Sequence, residues 1–305
     1  MFWAARPVAQ IEHRTMFHLG KIDEPVFIFG GPYSNIQATE KVLTIAHGQG
    51  FSADRIICTG DVVAYCANPA ETTAMIRDWG IHVVMGNCEE SLGFEREDCG
   101  CGFEEDSACD MLSRQWFDFA TRRITSDDKA WMQTLPRQLT FEMAGRRLAV
   151  IHGSLSDISG WVFKSTDDQT KITELDLASC DGIIAGHCGL PFISTTSDQR
   201  LWLNAGVIGM PANDGTSRGW YSILEPCDGG IRAHIHPFDY DHESAASAMR
   251  DERLASGPGG YANGLTTGLW PNMDVLPDAE RQLQGRAIES QSYVWAAPRD
   301  QRLTA

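Results

Sequence analysis

Residues 55–61 read Arg-Ile-Ile-Cys-Thr-Gly-Asp, residues 82–87 read His-Val-Val-Met-Gly-Asn, and before them stands Val-Phe-Ile-Phe at 26–29. Each is a short apolar run that stops at glycine, the pattern of a buried strand ending in a tight loop. Between them the spacing turns helical. Residues 36–47 carry apolar side chains at Ile36, Val42, Leu43 and Ala46, with Gly48 and Gly50 to end the helix. Residues 69–79 have Pro69 in the first turn and Gly80 after the last. Strand, polar loop and helix in this recurring order predict a parallel sheet made of βαβ units.

The pattern changes beyond Asn87. Residues 88–110, rich in Cys, Glu, Asp and Gly, read as an irregular insertion. Helices are predicted over 111–121 and 127–135, the second capped by Ser126. Residues 139–143 and 147–151 flank Ala144-Gly145 as a hairpin, and strands are expected at 182–185, 201–203, 220–224 and 231–236. An Ala-rich helix follows His242. One large α/β domain over 26–250 is expected, with an N-terminal extension over 1–25 and a C-terminal one over 251–305 packing on the same domain.

Composition narrows the function. Hydrophobic residues are 43% and charged residues 22% of 305, a globular balance. With 25 basic against 41 acidic side chains the net charge is −16, which excludes general nucleic-acid binding. No apolar run approaches the ~18 residues of a membrane helix, and the first residues lack a signal-peptide core. Nine cysteines, an odd number, suit free or metal-bound thiols in a reducing compartment. The expected location is cytoplasmic.

Chemistry-bearing residues fall just after the strands, where open α/β sheets place their sites. They are Gly60-Asp61, Gly86-Asn87, His152-Gly153 and Gly186-His187. A carboxylate, an amide carbonyl and two imidazoles form a mixed N/O set suited to Mn, Fe or Zn. Other candidates carry less. His234 and His236 share one face of their strand, near Asp239, Asp241 and His242, which an exposed edge strand explains equally well.

In order, spacing and strand context these motifs resemble the calcineurin-like metallophosphoesterases, in the bacterial branch whose third motif reads Gly-Asn-Cys. Here it is Gly86-Asn87-Cys88-Glu89, supported by Asn35-Ile-Gln-Ala38 and by Leu203-Asn-Ala-Gly206 with Gly209-Met-Pro211. The resemblance spans roughly 26–250. It implies an α/β fold of two mixed β-sheets packed as a sandwich and flanked by helices, with a two-metal centre at one edge. It also implies hydrolysis of phosphomonoesters or phosphodiesters, with a small phosphorylated molecule as partner.

Carried over residue by residue, Asp61, Asn87, His152 and His187 hold one metal. The ligands private to the other metal are absent: Gly31 stands for an Asp, Tyr33 for a His, and Gly189 for the second His of the fifth motif. The implied centre is re-made for one ion of Mn, Fe or Zn, or for a second ion on a different ligand set. Asn87, His152 and Cys88 are its catalytic candidates. Cys88 replaces the His that protonates the leaving group in many relatives, and a thiol near ~8.5 is a weaker acid than an imidazolium near ~6.5. Tyr33 and Arg218 are candidate substrate contacts, and Cys99, Cys101 and Cys109 a candidate second metal cluster. Two alternatives stand beside the hydrolase: a non-hydrolytic metalloprotein on the same fold, and an enzyme of another reaction type using the retained metal with Cys or Tyr33.

Overall fold

Alternate side chains along Val26–Phe29 enter different cores. Val26 and Ile28 pack with Leu148, Val150 and Ile184, whereas Phe27 and Phe29 join Ala38, Val42 and Ala46. The strand is buried on both faces, so it reads as an unbroken apolar run. Each such fully buried side chain contributes about 1.5–3 kcal/mol relative to exposure.

The structure, a computed structural model, describes residues 16–101, 108–254 and 260–296. Two six-stranded mixed sheets pack face to face. The first runs β1 (Met16–Lys21), β5 (Gln138–Met143), β6 (Arg146–Val150), β7 (Gly182–Ala185), β9 (Leu201–Asn204) and β8 (Phe192–Thr195). The second runs β12 (Gln291–Ala296), β11 (Gly230–Phe238), β10 (Gly219–Cys227), β2 (Val26–Phe29), β3 (Ile56–Cys58) and β4 (His82–Val83). Within them β2, β3 and β4 are parallel, as are β6, β7 and β9, while β10 lies antiparallel to both β2 and β11. The βαβ reading thus holds for part of each sheet, and antiparallel strands complete both.

Helices α1 (Ile36–Gly48) and α2 (Pro69–Trp79) cover the outer face of the second sheet, and α6 (Asp168–Ala178) covers that of the first. Asn35 caps α1 by accepting from the Ala38 N–H, and Gly80 closes α2 at φ +70°. The remaining helices are α3 (Asn87–Gly93), α4 (Ala108–Thr121), α5 (Ser126–Thr134), α7 (His242–Asp251), α8 (Tyr261–Thr267) and α9 (Asp278–Arg281).

Several sequence expectations need correction. The start of the segment expected to be irregular is the helix α3, whose residues are all buried. A Gly86–Glu89 cap and packing against α5 override its weak helical composition. The cap of α5 is Thr125 rather than Ser126: its hydroxyl accepts from the Asp128 N–H at 3.1 Å, and Asp128 accepts from the Thr125 N–H at 2.9 Å. Strand β11 lies between β10 and β12, so His234 and His236 are not on an edge strand; their rings stack at 5.4 Å. Sequence outside 26–250 supplies an edge strand to each sheet, β1 and β12. No helix among the described residues is long and apolar enough to cross a membrane.

Candidate metal centre and its cleft

Asp61 follows β3, Asn87 opens α3 just beyond β4, His152 follows β6 and His187 follows β7. Each sheet therefore delivers two of the four residues to one point between the sheet ends. All four are at most 6% exposed. Asp61 and His187 have left-handed backbones, φ +57° and +58°, a conformation uncommon outside glycine and concentrated at functional sites.

The hydrogen bonds fix which atoms face inward. His152 Nδ1 lies 2.7 Å from the Thr59 carbonyl, which can only accept, so the neutral ring carries its proton on Nδ1 and its lone pair on Nε2. That Nε2 faces Asp61 Oδ2 at 3.2 Å, Asn87 Oδ1 at 3.0 Å and His187 Nδ1 at 3.2 Å. The Asn87 amide is oriented by its Nδ2, which donates to the Cys99 carbonyl at 2.9 Å. A carboxylate oxygen, an amide oxygen and two imidazole nitrogens thus converge on one point. Such a gathering is relieved by a proton on His152 Nε2 or by a metal cation among the four atoms. Ligand distances of ~2.1 Å put neighbouring ligand atoms ~3.0–3.4 Å apart, as the three atoms around His152 Nε2 are from it, and the Asp61, His152 and His187 ligand atoms all lie within 4.8 Å of one another. The donor set fits a divalent transition metal, and Asp61, His152 and His187 form the only such group of three among the described residues.

Electrostatics fit the same use. Burial, reinforced by the neighbouring His152, brings His187 down to about 3, so its imidazole is neutral. Burial alone would raise Asp61, but a charged His152 outweighs it and holds the carboxyl below its ordinary range. His152, which burial alone would lower, is raised in turn by Asp61, so in the metal-free pair a proton on His152 Nε2 stands where a cation would.

Glu89, left without a role in the sequence reading, ties the site together. Fully buried, it accepts from the backbone N–H of Asp61 (2.8 Å) and Gly86 (2.9 Å) on one oxygen, and of Val62 (2.8 Å) and Val63 (3.4 Å) on the other. It joins the loop bearing Asp61 to the loop bearing Asn87. Burial and the nearby Asp61 carboxylate push it up to about 7, against N–H donors that favour the anion. Its sequence signal was available: Gly86 followed three residues on by Glu89 is a helix-start pattern.

The space beside Gly31 is filled. Gly31 sits at φ +46°, and a Cβ there would meet the Tyr33 ring at 2.6 Å and Val207 Cγ1 at 2.6 Å. Tyr33 is 5% exposed, and its hydroxyl makes no hydrogen bond among the described residues. With Tyr65, Trp161, Tyr261 and Trp270 it lines a cleft beside His187 with about 550 Å³ of empty space, mouth included. Trp161 packs on the His187 ring at 4.1 Å, and the Trp270 indole is fixed by donation to the Pro211 carbonyl at 2.7 Å. Trp161 was not anticipated, because a lone loop aromatic carries no sequence signal.

Three other expected contacts lie outside the cleft. Arg218 does not line the cleft; it is bound to Asp214 (3.0 Å), Thr216 (2.9 Å) and the Ile288 carbonyl (2.9 Å). Cys88 stays against the cluster without lining the cleft: its thiol hydrogen-bonds Asp61 and lies 3.5 Å from the Asn87 Nδ2, it is 1% exposed, and burial together with Asp61 and Glu89 pushes the thiol well up. Cys99 and Cys101, expected as free or metal-binding thiols, are joined in a disulfide across Gly100, while the side chain of Cys109 lies outside the described set.

Residues 31–228 match the calcineurin-like phosphoesterase superfamily domain, and the chain belongs to that superfamily. It is similar to an uncharacterized protein of Methanocaldococcus jannaschii, 24% identical over 237 residues that cover 73% of this chain and 90% of that one. Among solved structures, a metallophosphoesterase from Sphaerobacter thermophilus superposes with a TM-score of 0.61 at 21% identity, covering 81% of this chain and 100% of that one. A hypothetical protein from Pyrococcus horikoshii OT3 superposes with a TM-score of 0.66 at 12% identity, covering 81% and 99%. Both share the fold of two mixed sheets flanked by helices.

Proposed function

We propose that the chain is a metal-dependent phosphoesterase with an altered centre, holding one ion of Mn, Fe or Zn on Asp61, Asn87, His152 and His187. The observation that carries this reading is the convergence of four lone-pair atoms, two of them turned inward by partners of their own, Thr59 for His152 and Cys99 for Asn87. When bound, such an ion polarises a phosphoryl oxygen and acidifies the attacking water.

The chain's own groups do the rest. Asp61 supplies the one negative charge of the set. The Thr59 carbonyl holds the His152 tautomer, an outer contact of the kind whose loss commonly costs about 10–100-fold in metal affinity. Tyr33 occupies the other half of the ancestral site, and its unpartnered hydroxyl supports a role as hydrogen-bond donor to the phosphoryl group. Cys88, whose thiol is pushed well up by burial and held against Asp61, is a poor acid, which leaves solvent as the proton source for the leaving group.

Metal analysis and turnover test this together. Protein stripped and reloaded with Mn, Fe(II) or Zn should bind one ion per chain and hydrolyse bis(4-nitrophenyl) phosphate. Asp61→Asn should lose about a hundredfold or more in activity together with metal affinity. Two ions per chain would overturn the one-metal centre. One tightly held ion with no phosphoester turnover under any of the three metals would overturn the enzyme.

A further inference from the structure

We infer that the substrate is a monoanionic phosphodiester bearing a planar aromatic group, with its phosphate at the Asp61–His187 cluster and its ring in the adjoining aromatic cleft. The inference rests on the phosphoesterase reading and adds the substrate's charge and shape.

Charge comes first. A divalent ion with the Asp61 carboxylate leaves a net charge of at most one positive unit, which the buried Glu89 beside Asp61 can only reduce. Where a second cation's ligands would stand there is Tyr33, a neutral phenol, and the Tyr33 ring and Val207 fill the space beside Gly31. No Lys, Arg, Asp or Glu lines the cleft among the described residues, and the arginine singled out from sequence, Arg218, is bound to Asp214. One positive unit balances the single charge of a diester. A dianionic monoester or a polyphosphate would bring unpaired negative charge against apolar walls, which is costly.

Shape follows from the walls. Tyr33 meets Tyr65 at 4.8 Å and Tyr65 meets Tyr261 at 4.5 Å, so the rings hold one another in place before anything binds. Trp161 lies directly on His187, so a ring joined to phosphorus through one ester oxygen reaches it without a spacer. Stacking on such platforms commonly raises affinity by about fivefold to a hundredfold per ring. Tyr261 and Trp270 lie beyond residue 228, outside the segment that matches the superfamily domain.

Calorimetry on the Zn-loaded full chain with three probes tests the idea: diphenyl phosphate, an aromatic monoanion; diethyl phosphate, a monoanion without rings; and phenyl phosphate, largely a dianion at pH 8. Diphenyl phosphate should bind about tenfold or more tighter than either of the others. In Trp161→Leu the ratio of diphenyl to diethyl affinity should fall several-fold, with zinc content measured alongside to show that His187 still ligates. Val275→Lys, which adds a cation to the wall, should shift preference toward phenyl phosphate. Diethyl or phenyl phosphate binding as tightly as diphenyl phosphate, or no binding of any probe, overturns the inference. If the probes rank as expected but bis(4-nitrophenyl) phosphate is not cleaved, the cleft assignment stands and the phosphoesterase reading falls. Faster cleavage of 4-nitrophenyl phosphate than of the diester does the reverse.

Discussion

Glu89→Gln is a nearly isosteric change whose cost can be worked from the four N–H donors it meets. Whichever way the new amide turns, one oxygen remains to accept from two of them, and an NH2 group confronts the other pair. If the oxygen stays with Asp61 and Gly86, the Val62 N–H at 2.8 Å loses its partner, while Val63 at 3.4 Å was weakly held. One strong N–H and the amide's own hydrogens are then buried unsatisfied, at about 1–3 kcal/mol each, or about 2–6 kcal/mol together. Removing a charge that burial opposes offsets part of this, so a net loss of about 2 kcal/mol or more is expected at pH 7. Urea unfolding followed by tryptophan fluorescence should show a lower midpoint, and the metal should bind more weakly because the Asp61 and Asn87 loops lose their tie. The pH dependence has a definite sign. Glu89 is pushed up to about 7 when folded, above the ~4.3 of an unfolded glutamate. The folded state therefore holds its proton more tightly, and this contribution is present in acid and lost as pH rises through 7. In metal-free protein the wild type's advantage over Glu89→Gln should shrink along that interval. A variant within about 0.5 kcal/mol of wild type, with unchanged metal affinity, would show that the two loops keep their geometry without the carboxylate.

Gly31→Ala should cost about 1–2 kcal/mol for its left-handed backbone and a further ~1–3 kcal/mol for crowding Tyr33 and Val207. Adding Tyr33→Ala should relieve only the second part, and a double-mutant cycle with no coupling would refute the mutual exclusion of the two side chains. Thiol labelling of native protein, mapped by mass spectrometry, should mark half-buried Cys227 and spare Cys58, Cys66, Cys88, Cys180 and Cys188 until unfolding. Rapid native labelling of Cys88 would show that its thiol reaches solvent after all.

The four candidate ligands were legible because strand ends are legible: a short apolar run followed by glycine and a polar residue fixes where a side chain emerges. What sequence could not supply was mutual occupancy. That Tyr33 fills the space beside Gly31 depends on two left-handed residues, Gly31 and Tyr33 itself, in one loop, and no periodicity reports such angles. Arg218 stood as a candidate phosphate contact with a surface salt bridge as the plainer reading, and its partners Asp214 and Ile288 come to it through tertiary packing. The cysteine-rich composition hid α3, whose helix is imposed by Glu89 and α5 rather than by propensity. Tyr261 and Trp270 sit in a stretch with weak helical signals, and only the folded chain brings them to the cleft.

The position of β10 has a consequence for how the chain reaches this state. It lies between β11 and β2, pairing Ser222 with Ile28, so the second sheet is closed by a partner roughly 190 residues downstream. At ribosomal rates of about 5–20 residues per second, β2 waits roughly 10–40 s for that strand. Throughout that interval Val26–Phe29, apolar on both faces, keeps one hydrogen-bonding edge unpaired. Such long-range pairing gives a high contact order and slow closure. Nascent-chain aggregation through β2 is thus the hazard that expression conditions have to manage, and lower temperature or a chaperone that shields this edge is the matching remedy.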